Sequence, residues 1–233
     1  MNYLLKYYEE IENGHIIVGK ELKSVLDGLV NDLSNPRYFF DEEPGNVRIN
    51  FIETFCKHTK APFNGQPFKL ELWEKALLQV AYGYKMKSTG LRRFNEVVLL
   101  IARKNGKTTF LAGIDLAEFF LSKGGVDIIC ASNTNDQASI LFEEINNMRE
   151  QSKALSKDNR SRKNLFYIYS PRNKNKIKKL SAQSRNLDGY NIEVGCIDEV
   201  HQMHDSKVYD AIKHIDYNKW LNVSFTGDKK WAI

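Results

Sequence analysis

Cysteine is scarce in this sequence. Three occur in 233 residues, Cys56, Cys130 and Cys196, far apart and never in a Cys-x-x-Cys pair. That spacing excludes a disulfide framework and a zinc site, and all three read as reduced thiols. Long apolar runs are also missing. No stretch of about 18 apolar residues exists, so no membrane-spanning helix is expected. The amino-terminal MNYLLKYYEEIENG is acidic and aromatic and lacks the basic start and apolar block of a secretory leader. No internal repeat and no long low-complexity tract occurs. These absences leave an ordinary intracellular globular chain as the expectation.

What is present fits one α/β core with a smaller appendage. Hydrophobic residues make up 42%, charged residues 27% and aromatics 12%, which is too apolar for a disordered chain. The net charge of +5 suits an anionic partner without demanding one. Residues 1–90 read as mostly helical. Leu22, Val25, Leu26, Leu29, Val30 and Leu33 recur at helical spacing and stop at Asn35-Pro36. Phe51, Ile52, Phe55 and Cys56 mark a second helical face, and Leu72, Trp73, Ala76, Leu77 and Val80 a third. Loops containing Pro44-Gly45 and Pro62 to Gly65 separate them.

The pattern changes at Phe94. FNEVVLLIA (94–102) reads as a strand buried on both faces, followed by a helix over Lys107–Leu121. VDIICAS (126–132), IEVGCID (192–198) and WLNVSFT (220–226) read as three more strands, and Gln137–Arg149 as a helix. Strands alternating with helices imply a parallel sheet with right-handed crossovers. Within 157–185, NLFYIYS and NKIKKLSAQ are expected to form a hairpin.

Two motifs carry chemistry. Ala102-Arg103-Lys104-Asn105-Gly106-Lys107-Thr108-Thr109 follows a strand and opens a helix, the setting of a phosphate-binding loop. Its backbone N–H groups and the helix N-terminus would cradle a polyphosphate. Lys107 would reach the β and γ phosphates, and the Thr108 hydroxyl would ligate Mg2+. The usual loop has a glycine where this chain has Ile101. The second motif, Val194 to Ile197 followed by Asp198 and Glu199, is an apolar strand ending in two carboxylates. Parallel strands end at the ligand crevice. Asp198 would hold Mg2+, and Glu199 would polarise an attacking water. The order and setting of the two motifs point to an ATPase using ATP and Mg2+.

The motifs also resemble those of the large subunit of tailed-bacteriophage terminases, the ATPases that pump DNA into capsids. The resemblance runs through FIETFCKHTKAPFNGQPFKLELWEKALLQVAYG, RRFNEVVLLIARKNGKTT, IICASNTNDQA, LDGYNIEVGCIDEVHQM and SFTG. It implies an α/β fold of the P-loop NTPase (RecA/ASCE-like) kind, a mostly parallel sheet flanked by helices. Residues 1–90 would be a helical extension and 91–233 the ATPase core. The family places an arginine early in a glycine-poor loop. Arg103 matches it, which implies a γ-phosphate sensor or finger. Pro67 to Leu70 with Trp73 and Glu74 resemble an adenine-contacting segment, although the family usually has Gln where Glu74 stands. Ser224 and Thr226 occupy the place of a coupling motif, and His201 follows the acidic pair. The implied partners are double-stranded DNA, a portal protein, a small terminase subunit and further copies of the chain in a homo-oligomeric ring, in the cytoplasm of a bacterial host. The family's nuclease domain has no room after Ile233, so DNA cleavage is not expected of this chain.

Residues 157–179 hold nine Lys or Arg against the single acid Asp158, with Phe166, Tyr167 and Tyr169 interleaved. Lys174, Lys176, Lys178 and Lys179 are candidate DNA contacts; a solvated charged loop is the bland alternative. Another P-loop nucleic-acid ATPase of helicase type, or a truncated inactive remnant, stands as the competing reading of the whole chain.

Overall fold

The computed structural model describes residues 1–102, 104–157, 160–162, 167–181, 191–200, 206, 209–210, 212 and 220–226, with the side chains of 160–162 and 220–226 excepted. The chain divides into two compact units: Met1–Phe51 with Lys69–Asn95, and Ile52–Phe68 with Glu96–Ile233. A single boundary at residue 90 therefore does not describe the division, because 52–68 belongs with the sheet-bearing unit.

The first unit contains α1 (Tyr3–Glu12), α2 (Lys20–Asp32), β1 (Tyr38–Phe40), most of α3 (Glu43–Phe55), α4 (Leu72–Gly83) and β2 (Tyr84–Met86). Asn2 starts α1 by accepting a hydrogen bond from the Leu5 N–H. α2 ends ahead of Asn35-Pro36, as expected from the sequence. Its apolar face is only partly used, since Leu26 is buried whereas Leu22 and Val25 are exposed. The core gathers Leu4, Tyr7, Leu26, Ala76, Val80 and Tyr84. The fully buried Gln79 ties three elements together. Its Oε1 accepts from the Tyr3 N–H (2.6 Å), and its Nε2 donates to Asn46 Oδ1 and the Met1 carbonyl (2.8 Å each). A Cβ at Gly45 would lie 2.6 Å from Gln79 Cα, so α3 and α4 approach closely only because that residue is glycine. β1 and β2 pair antiparallel. Three residues are too few to show strand periodicity, and sequence reading missed them.

The second unit is built on a seven-stranded sheet. Its elements in chain order are β3 (Glu96–Ile101), α5 (Lys107–Leu121), β4 (Asp127–Ser132), α6 (Asn135–Gln151), the short α7 (Lys153–Ser156), β5 (Arg160–Arg162), β6 (Tyr167–Tyr169), β7 (Lys176–Ser181), β8 (Ile192–Ile197) and β9 (Trp220–Thr226). The strand order is β3-β9-β8-β4-β7-β6-β5. β3, β9, β8, β4 and β7 run parallel, and β6 and β5 extend the sheet antiparallel. The expected hairpin is the β6–β7 pair, joined in the structure by a further strand, β5. β4 is buried along its whole length, as its unbroken apolar run requires. β3 departs from the expectation of burial on both faces. It stands at the sheet edge and alternates half-buried with exposed residues, leaving Val98 at 56% and Leu100 at 60% exposure. An unbroken apolar run does not distinguish an edge strand from a central one.

The 52–68 segment earns its place through local contacts. Ile52 is fully buried and touches Gly113 of α5, where a Cβ would lie 3.3 Å from the isoleucine. Asn64 accepts a hydrogen bond from Gln151 of α6 (2.7 Å).

Candidate functional site

Apolar runs place the site. β3 leads toward Lys104-Asn105-Gly106 and β8 directly into Asp198-Glu199, and β9 lies between the two strands. Between β3 and α5, Ala102 and Lys104 to Gly106 are exposed. Lys104 (φ 68°) and Gly106 (φ 76°) both adopt the left-handed conformation, and Asn105 Nδ2 donates to the Ala102 carbonyl (3.1 Å). This folds the loop so that α5 starts at Lys107, directly behind the left-handed Gly106. Apart from a few residues, α5 is buried all round, which anchors the loop's far end in the core. Glu199 is also left-handed (φ 55°). Among the described residues, two of the three non-glycine residues with positive φ therefore lie in the two motifs, a placement typical of functional sites.

The two motifs meet. Lys107 Nζ lies 2.6 Å from Asp198 Oδ1 and 3.0 Å from Glu199 Oε1, and both Lys107 and Asp198 are buried. The neighbouring strand β4 holds Asp198 in place. Its N–H donates to the Ala131 carbonyl (2.9 Å), and its carbonyl lies 3.0 Å from the Ser132 hydroxyl. Sequence reading missed Ser132, which is fully buried at the end of β4 and also lies 3.3 Å from Gln137 Oε1. Thr134 begins α6 by accepting from the Gln137 N–H. The only sequence signal was a serine closing an apolar strand ahead of a helix cap.

This donor set fits a magnesium–nucleotide. An ammonium group, the open N-terminus of a 15-residue helix and two carboxylates converge, and Thr108 sits half-buried in the first turn of α5. A Cβ at Gly106 would meet nothing within 4 Å, so the demand for glycine there is conformational rather than steric.

Other sequence candidates fall elsewhere. Arg103 and His201 lie outside the described residues. Ser224 and Thr226 are described by backbone alone. Their register sets Ser224 opposite Leu99 and Thr226 opposite Ile101, on the strand between the two motifs. In the first unit, Trp73 packs against the core cluster. Glu74 is buried and closes a capping box at the start of α4, accepting from the Glu71 N–H (2.8 Å). Burial pushes its carboxyl up to about 7. The folded protein thus keeps a proton there that the unfolded chain has released, so stability is lost as pH rises through that range. Glu74→Gln keeps the acceptor without the buried charge. We expect it to raise the melting temperature above pH 7 and to converge on the parent protein near pH 4; equal melting temperatures at pH 8 would contradict this.

The four candidate lysines do not share a face. Lys176 and Lys178 lie on one side of β7 in register with Tyr169 and Tyr167, and Lys178 pairs with Asp127 (3.0 Å). Lys179 points to the other side, toward α6, where it donates to Ser139 (2.7 Å). Lys174 is exposed in the turn before β7, with φ 65°. The asparagines of this turn point inward. Asn173 and Asn175 both donate to the Phe119 carbonyl near the end of α5, and Asn175 accepts from the Val126 N–H.

A third buried acid stands on α5. Asp115 is wholly buried and accepts from the thiols of Cys130 on β4 (3.5 Å) and Cys196 on β8 (3.0 Å). Burial, with a smaller contribution from nearby Glu118, pushes its carboxyl up to about 7. Burial likewise holds the Cys130 thiol far above its ordinary value.

A family model described as terminase large subunit, ATPase domain, matches residues 72–219, more than half of the chain. The large subunit of the terminase of Enterobacteria phage HK97 is 32% identical over 100 residues, which is 42% of this chain and 19% of that protein. The crystal structure of the HK97 bacteriophage large terminase superposes with a TM-score of 0.65 at 25% identity, covering 78% of this chain and 37% of that one. The large terminase ATPase domain of Thermus phage P74-26 gives a TM-score of 0.46 at 17% identity, covering 67% of this chain and 70% of that domain. The chain thus spans well under half the length of the HK97 protein.

Proposed function

Because the chain belongs to the family of terminase large-subunit ATPase domains, we propose that it hydrolyses ATP and couples this to movement of double-stranded DNA. The observation that carries the reading is the meeting of Lys107 with Asp198 and Glu199 at 2.6 and 3.0 Å. This meeting, at the ends of parallel strands, supports Lys107 as the phosphate-binding lysine, Asp198 as the metal-binding acid and Glu199 as the water-activating acid.

Each residue has a role that follows from its position. The N–H groups at the start of α5 and the Lys107 ammonium bind the β and γ phosphates of ATP, Lys107 exchanging its carboxylate partners for phosphate oxygens. Thr108 and Asp198 would hold Mg2+, which when bound offsets the charge of the phosphates. Glu199 orients the attacking water and accepts its proton as the oxygen bonds to the γ-phosphorus and the bond to ADP breaks. Arg103, by its place in the loop, would add a guanidinium against the charge of the transferred phosphoryl group. Ser224 and Thr226 stand on the strand between loop and acids, a position suited to transmitting a change from one to the other. The experiment is phosphate release by the purified chain with ATP and Mg2+. Turnover that chelation abolishes is expected, and no turnover with excess Mg2+ would refute the reading.

Partners follow from the family role: double-stranded DNA, a portal protein, a small terminase subunit and other copies of this chain in a ring, in the cytoplasm of a bacterial host. Charge sorts the candidate DNA contacts. Lys174 is exposed on the turn and Lys176 is half-buried on β7, whereas Lys178 and Lys179 already have protein partners. The Lys174→Ala/Lys176→Ala double variant is expected to weaken duplex binding and reduce the slope of log K against log salt by about 2. An unchanged slope would remove this face from the DNA path.

A further inference from the structure

Glu144 lies mid-way along α6 with 2% exposure, remote in sequence from both motifs. A buried carboxylate is costly unless donors surround it. Three side chains from two other segments approach this one. Thr109, in the first turn of α5, donates to Oε1 (3.2 Å), Thr59 donates to the same oxygen (2.7 Å), and Lys60 Nζ lies 3.2 Å from Oε2. Thr109 directly follows Thr108, the residue placed on the metal. Thr59 and Lys60 root a surface loop whose ends are closed by main-chain bonds, His58 N–H to the Gln66 carbonyl (3.0 Å) and Phe68 N–H to the Cys56 carbonyl (3.0 Å). Residues 60–67 of this loop are exposed, including Phe63 at 54%.

One carboxylate oxygen is therefore shared between a surface loop and the first turn of the phosphate-loop helix. Moving the loop changes how many donors Glu144 holds, and with it the tether on Thr109. Nothing in the immediate stability of α6 calls for a carboxylate here, since a leucine or methionine would fill a buried position more cheaply.

We propose that Glu144 is a positioning residue that fixes the first turn of α5, and so the Thr108 hydroxyl, and that the 57–67 loop adjusts this hold from the surface. The proposal rests on the ATPase reading. It assigns the loop a regulatory role, with Lys60 and Thr59 as its means of access to the site.

Phosphate binding depends on Lys107 and main-chain N–H groups, which Glu144 does not touch. Loss of its tether should therefore lower kcat more than it raises KM. In the full chain, Glu144→Ala is expected to lower kcat about tenfold, with KM for MgATP changed less than about twofold. Thr59→Val and Lys60→Ala, both at the loop, are expected to lower kcat by about threefold with unchanged melting temperature. Glu144→Gln keeps an acceptor for both threonines, so it should match Lys60→Ala rather than Glu144→Ala. Should Glu144→Ala fail to fold, the loop variants decide the matter. Wild-type kcat in folded Thr59→Val and Lys60→Ala overturns the proposal. A second readout separates the two readings. MgADP is expected to slow trypsin cleavage after Lys60 in the parent chain and not in Thr59→Val. No turnover by the parent chain, with this protection present, refutes the ATPase reading and leaves the coupling standing. Cleavage indifferent to MgADP overturns the coupling.

Discussion

Lys107→Ala and Glu199→Gln are expected to reduce ATP turnover by roughly a thousandfold or more, for different reasons that binding assays separate. Glu199→Gln leaves the loop, the α5 N-terminus and Lys107 in place, so it should bind nucleotide at near-parental affinity and fail at the chemical step. Lys107→Ala should lose affinity as well as turnover. It should also melt lower, because Lys107 is the cation that lies between Asp198 and Glu199, at 2.6 and 3.0 Å. Removing it leaves two carboxylates facing each other in a largely buried site, the situation in which breaking an ion pair is most costly. Phosphate release, fluorescent-nucleotide titration and thermal melting of the three proteins check each part. Equal turnover by the parent and Glu199→Gln would sink the assignment of the water-activating acid.

The second large effect concerns Asp115. Its carboxyl is raised from 3.8 to about 7 by burial in the folded state. Below about pH 4 the group is protonated in both folded and unfolded chains. Between about pH 4 and 7 only the folded chain keeps the proton, so stability falls with rising pH, by up to about 1.4 kcal/mol per unit. Above about pH 7 the loss is complete, on the order of 4 kcal/mol. Asp115→Asn removes the titration, and its stability difference from the parent should grow in its favour across that window. Denaturant unfolding at several pH values measures it. Parallel pH profiles for the two proteins would show that Asp115 is not the group responsible. Glu74 titrates in the same sense, so the difference between variant and parent, rather than either profile alone, is the quantity to compare.

Much of this arrangement was legible in the sequence. The apolar runs at 126–132 and 192–198 are strands because β-branched residues and buried cysteines fit a sheet covered on both sides, and the loop and acidic pair follow from what ends those runs. Other features left no periodic signature. Glu144 and Asp115 each look like one more polar position on a helix, and only tertiary packing turns them inward. β3 has the same apolar run as a central strand, although it occupies the edge. In the basic turn, composition drew attention to the lysines, but the asparagines do the folding work by holding the Phe119 carbonyl. The role of 52–68 was hidden because its contacts, Ile52 to Gly113 and Thr59 to Glu144, span about 60 and 85 residues of chain.

That last segment has a consequence for anyone who would take the molecule apart. The two units are interleaved along the chain, so no single scissor cut yields the sheet-bearing half intact. A fragment beginning near residue 91 would keep every residue of the phosphate loop and the acidic pair. It would nonetheless expose the surface of α5 that Ile52 covers and strip Glu144 of its Thr59 hydrogen bond and its Lys60 ion pair. The smallest fragment that keeps the sheet-bearing unit whole must therefore start upstream of Ile52 and carry the first unit's second stretch along, or be rejoined by a loop that replaces residues 69–95.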